Sequence, residues 1–286
     1  MADTDDDDGG VIPLRPAPQR QEPTPASPEL LAAGVPGAAS PGRYRRDEWR
    51  RAAICLALGA AIAGGVAAIP MALFVVDILR VIVHELGHAA TSWAFGYPAI
   101  PALDLTHGGG LTPSWDRVPA IAWAAPLLVF GSGLLAAQNR LTRACVLIAL
   151  ALYAGLALTD WHQAAIIAMG HGLTLIIAAL FIVRGLTGLQ VKLGVERPLY
   201  VAIGLLFAGV EMHTAWMLLD NHVYREHYLS AKQGLVRDDL SRLADDYLHT
   251  SFEAVATGVL CGGILAVVAG LALSAVITHI ASRARS

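Results

Sequence analysis

Long apolar runs dominate this chain and leave few folds open to it. Residues 52–69, 119–137, 141–159, 164–183, 199–219 and 252–280 are each apolar, with at most one Asp, Glu, Lys or Arg apiece. Each is long enough, at 1.5 Å per residue, to cross a hydrocarbon layer of about 30 Å. A large soluble helical protein would need a polar stripe on each helix, and most of these runs are polar on no face. With 55% hydrophobic and 15% charged residues and a mean hydropathy of +0.55, the chain reads as an all-α polytopic membrane protein. The expected architecture is a bundle of about six to seven transmembrane helices.

The formal net charge of -3 gives no electrostatic footprint for nucleic acid, and the lipid bilayer is the partner the composition requires. Cys55, Cys145 and Cys261 each sit inside an apolar run, where a thiol acts as a small hydrophobe, so neither a disulfide nor a cysteine metal site is expected. Residues 1–42, with the run Asp5–Asp8 followed by scattered prolines, cannot bury enough surface to fold and should form a disordered arm. Residues 43–220 then make a membrane-embedded core, 221–251 an amphipathic extramembrane segment, and 252–286 a last membrane helix with a basic tail. In the third of these, Val236, Leu240, Leu243 and Tyr247 recur at helical spacing, with Arg237, Asp238, Asp239, Asp245 and Asp246 on other faces.

Arginines at 43, 45, 46, 50 and 51 precede the first run and mark its start as cytoplasmic. If seven segments cross, however, Arg140, Arg143, Arg184, Lys192 and Arg197 fall on the opposite side, against the usual bias. A re-entrant segment would remove the conflict.

The segment 71–96 differs from the others, for it carries Asp77, Arg80, His84, Glu85 and His88 at membrane depth. Charges there are expensive and point to function. His84 and His88 lie ~400° apart around a helix, on one face and one turn apart, so two imidazoles can bind one metal ion. Glu85 is turned ~100° away at nearly the same height, where it can reach a water at the metal without being a ligand. Asp77 and Arg80 continue the same face and are each other's natural partners.

The words Val83-His84-Glu85-Leu86-Gly87-His88-Ala89, the turn at Phe95-Gly96, and the glycine-bearing stretch from Asp104 to Thr112 resemble the site-2 protease family of intramembrane zinc metalloproteases over residues 71–185. The resemblance implies a short strand after the metal helix, one Zn2+ per chain, Glu85 as general base, and peptide hydrolysis in a transmembrane protein substrate. It also implies a multi-pass protein of a cell membrane, here the cytoplasmic membrane of a bacterium. The family's third ligand, an aspartate in an Asn-Pro…Leu-Asp-Gly motif, has no intact counterpart in this chain.

Depth offers another route to the third ligand. If segments 71–96, 141–159 and 199–219 run in one direction, His171 lies about as deep as His88 and stands first, followed by Asp160 and Glu211. Flanking Gly170 and Gly172 would let another helix approach His171 closely. Metal ligands are therefore expected at His84, His88 and His171. A silent metal-binding scaffold of the same fold is the alternative, and a haem protein using His171 and His213 a more distant one. His107, His162, His222, His227, His249 and His279 fall at segment ends and receive no role.

Overall fold

The computed structural model describes residues 41–104, 109–230 and 237–283. The acidic arm, His107, Val236 and the last three residues of the basic tail lie outside them. The described residues form nine helices: α1 Pro41–Ala67, α2 Pro70–Ala94, α3 Pro119–Ala136, α4 Arg140–Ala157, α5 Trp161–Thr187, α6 Glu196–Asp220, α7 His222–Ser230, α8 Asp239–Arg242 and α9 Phe252–Arg283. A π-helical turn, Leu243–Leu248, follows α8, and two strands, β1 Ala102–Asp104 and β2 Gly109–Leu111, sit between α2 and α3.

The ends of these elements follow local chemistry. Pro70 and Pro119 open α2 and α3, where a missing N–H costs nothing. Asn139 accepts from the Thr142 N–H at 2.7 Å to cap α4. Gly188, at φ 73°, closes α5 in the left-handed conformation. β1 and β2 pair antiparallel with Leu103 opposite Gly110, which supplies the strand element expected after the metal helix.

Six helices are long and apolar enough to cross a membrane: residues 47–67 of α1, and α3, α4, α5, α6 and α9. The protein is thus a multi-pass membrane protein. The helix α2 is not among the six, and it carries Asp77, Arg80 and Glu85.

The packing shows how α2 fits. Ala52, Cys55 and Leu56 of α1 lie against Ile182, Leu186 and Val201. Two turns further along α1, Ala63 clusters with Ala202 and Leu206, and Val76 of α2 joins the same cluster. Arg80 then meets Glu211, and His88 meets the Ile166 carbonyl. Both α1 and α2 therefore climb α6 in its own direction, α1 along the first half and α2 along the second, with a break at Ala68–Ile69. They form one broken passage rather than a hairpin. Among the described residues the bundle thus has six passages, with α1 and α2 sharing one of them.

This arrangement assigns every loop to one of two ends. The α1 start, the α3–α4 turn, the α5–α6 turn and the α9 end share one end; Glu48, Thr187 and Ser282 line one cavity there. The α2 end, both strands, the α4–α5 turn, α7 and α8 share the other. Tyr153 of α4 donates to the Ala94 carbonyl at 2.8 Å, and Arg117 donates to the Ala157 carbonyl at 2.9 Å. As the depth argument expects, α2, α4 and α6 all run toward this second end.

Candidate metal centre

Residues far apart in sequence converge near the second end. Gly87 and Gly170 set the approach of α2 and α5: a Cβ on Gly87 would lie 2.1 Å from the Met169 carbonyl oxygen, and one on Gly170 2.4 Å from His88 Nε2 and 2.6 Å from His84 Nε2. Only glycine lets the α5 backbone lie directly against both imidazoles. His84, Glu85 and His88 are all buried, none more than 9% exposed.

The sequence reading left Asp239 on the outward side of the amphipathic segment, but the structure turns it inward. Leu240, Leu243 and Ala244 pack with Ala164, Ile167, Leu218 and Val255, which seats α8 and the π-helical turn over the bundle. Asp238 does the capping, accepting from the Ser241 N–H at 2.9 Å, which frees its neighbour. Asp239 Oδ2 then lies 3.0 Å from His84 Nε2 and 2.9 Å from His88 Nε2, and the two Nε2 atoms lie 3.0 Å apart.

Tautomer logic makes this triangle informative. His88 Nδ1 sits 2.8 Å from the Ile166 carbonyl, which can only accept, so Nδ1 carries the proton. In the neutral ring Nε2 then presents a lone pair to the carboxylate of Asp239, an arrangement that asks for a cation between them. The edges of 2.9–3.0 Å are within a few tenths of the about 3.3 Å expected for tetrahedral ligands at 2.0–2.1 Å from a zinc ion. Two imidazoles and one carboxylate are a donor set that fits the zinc ion implied by the family resemblance.

Glu85 lies beside this triangle and is held from another direction. Thr112, just past β2, donates to Glu85 Oε2 at 2.6 Å. A Cβ on Gly110 would meet Glu85 Oε1 at 2.1 Å, so β2 passes directly over the carboxylate. A cavity of about 130 Å³ opens here, lined by Glu85, His88, Thr112, Gln163, Asp239 and Arg242.

His171 stands one layer deeper, its ring edge-on to His84 with centroids 4.6 Å apart. Its Nδ1 donates to Glu211 Oε2 at 2.7 Å. Arg80 donates to Glu211 Oε1 at 2.7 Å and to Asp77 Oδ1 at 2.8 Å, so the pair expected from sequence is part of a longer chain of charges. His84, His171 and Glu211 are also close enough to hold an ion. Both oxygens of Glu211 are already engaged there, however, and the Arg80 guanidinium would repel a second cation.

The other candidates stand apart. Asp160 is exposed at the start of α5, and His213 is exposed on α6, turned away from His171. His162, given no role, is buried and accepts from the Tyr97 hydroxyl at 2.8 Å, tying the post-α2 turn to α5. Comparison with known protein families, characterised proteins and solved structures finds no match for this chain.

Proposed function

We propose that this protein is an intramembrane zinc metallopeptidase of the cytoplasmic membrane of a bacterium, cutting a transmembrane segment of another protein. The observation that carries the reading is the convergence of His84 Nε2, His88 Nε2 and Asp239 Oδ2 within 3.0 Å of one another, with Glu85 alongside. In this reading His84, His88 and Asp239 hold the ion, while His171 supports the ring of His84 from behind. A bound zinc would polarise the scissile carbonyl and bring the pKa of a water toward ~7.

The chain's own groups do the rest. Glu85 takes the proton of the attacking water and delivers it to the leaving amine. Thr112 donates to Oε2 of Glu85 and so orients the carboxylate beside the histidines. The Ile166 carbonyl keeps His88 in the tautomer whose Nε2 can bind. The β1–β2 pair beside the cavity offers a place for an unwound substrate to add as a strand.

The test is metal content by mass spectrometry on the detergent-purified chain, paired with cleavage of a membrane-embedded reporter. About one zinc per chain is expected in the parent. His88→Ala and Asp239→Ala should lose it and His171→Ala should keep most of it. Glu85→Gln should keep the zinc and lose cleavage by about 10²–10⁴-fold. Zinc in the parent with no cleavage by any reporter would favour a silent scaffold, and no zinc at all would sink both readings.

A further inference from the structure

Lys and Arg are distributed unequally between the two ends of the bundle. The α1 start carries arginines at 43, 45, 46, 50 and 51, the α3–α4 turn brings Arg140 and Arg143, the α5–α6 connection Arg184, Lys192 and Arg197, and α9 ends at Arg283. At the end that holds the candidate metal centre, the described residues supply only Arg117, Arg225, Arg237 and Arg242. Arg225 is paired with Glu253, and Arg237 with both Asp245 and Asp246. Among the described residues, Asp104, Asp116, Asp160, Asp220, Asp238 and Asp239 lie at the metal-centre end, against Asp47, Glu48 and Glu196 at the other.

The conflict raised by seven crossings disappears once α1 and α2 make one broken passage. Every short loop rich in Lys and Arg then falls on the same side, which is what the positive-inside bias requires. We infer that the α1 start, the α3–α4 turn and the α5–α6 turn face the cytoplasm, and that the metal centre opens toward the extracytoplasmic face.

The depth of the site follows. His88 lies six residues before the end of α2 at Ala94, or ~9 Å of helix, so water and substrate enter from outside the cell. The substrate class is then a transmembrane segment whose extracytoplasmic third unwinds into the cavity between β2, α5 and α8. This substrate clause rests on the peptidase reading, whereas the orientation does not.

The two parts separate experimentally. In a chain with Cys55, Cys145 and Cys261 replaced by Ala, single cysteines are placed at Glu226→Cys and Leu193→Cys. Both positions are well exposed, at 68% and 62%. Bacterial spheroplasts are treated with a membrane-impermeant maleimide before and after lysis, with labelling in denaturant as the measure of total thiol. Glu226→Cys should label at least tenfold more than Leu193→Cys before lysis, and the two should label equally afterwards. The reverse order, or equal labelling before lysis, overturns the orientation. Reporters with the scissile stretch in the outer or the inner third of their span test the substrate clause. Cleavage of the outer-third reporter alone supports it, and cleavage of the inner-third one overturns it. Correct labelling with no cleavage of either reporter sinks the peptidase reading and its substrate clause and leaves the orientation standing.

Discussion

Helices α4 and α6 are equally apolar, yet almost none of α4 is buried in the protein and about half of α6 is. In water such a difference would show as a polar stripe on the less buried helix. In lipid it does not, because hydrocarbon solvates Leu, Ile and Val as well as a protein interior does, and packing is driven by small residues and polar contacts instead. The buried positions of α6 are accordingly Ala202, Gly204, Ala208, Glu211 and Ala215 among larger groups, while Leu147, Ile148 and Leu152 of α4 face outward. The α3–α4 hairpin is an apolar flank, and α2, α5, α6, α8 and α9 are the working core.

Three substitutions sharpen this contrast, in descending order of expected effect. Gly170→Val puts two methyl groups where a single Cβ already meets His88 Nε2 at 2.4 Å. Zinc affinity should fall by about 10–100-fold, read by competition with a chelator, as when the support of a metal ligand is lost. Unchanged affinity would mean that α2 and α5 are not in this contact.

Glu211→Gln removes the charge that joins Arg80 to His171 at a site 1% exposed. Leaving Arg80 with the half-exposed Asp77 should cost about 3 kcal/mol of stability. Unfolding of the purified protein in a denaturing detergent titration would show it, and a shift no larger than that of a surface variant would refute the network. Leu147→Ala, at a position 53% exposed on α4, should change neither zinc affinity nor stability by more than about 0.5 kcal/mol. A larger loss there would show that the hairpin packs against something else.

Much of this division was legible in the sequence, and the reasons it stopped short are physical. Helix phase alone aligned His84 with His88 and set Glu85 aside, because 3.6-residue periodicity is a property of any helix. The glycine-bearing strand was legible only through the family resemblance of the stretch from Asp104 to Thr112. Asp239 was not, since a carboxylate on an amphipathic surface segment looks solvated until the packing of Leu240 and Leu243 turns it inward. Two adjacent aspartates where a helix start needs one cap were the available sign. The direction of α1 escaped for a related reason. An 18-residue apolar run is long enough to cross, and nothing in its composition says that it stops beside Leu206 and hands over to α2.

That handover has a mechanical consequence. Along an unbroken helix each residue added or removed turns everything beyond it by ~100°. A single deletion in the first half of such a passage would swing His84 and His88 away from Gly170 and Asp239. The break at Ala68–Ile69, followed by Pro70, resets the rotational phase. The length of α1 can therefore vary to suit the thickness of the bilayer while the face of α2 that bears His84 and His88 keeps its aim.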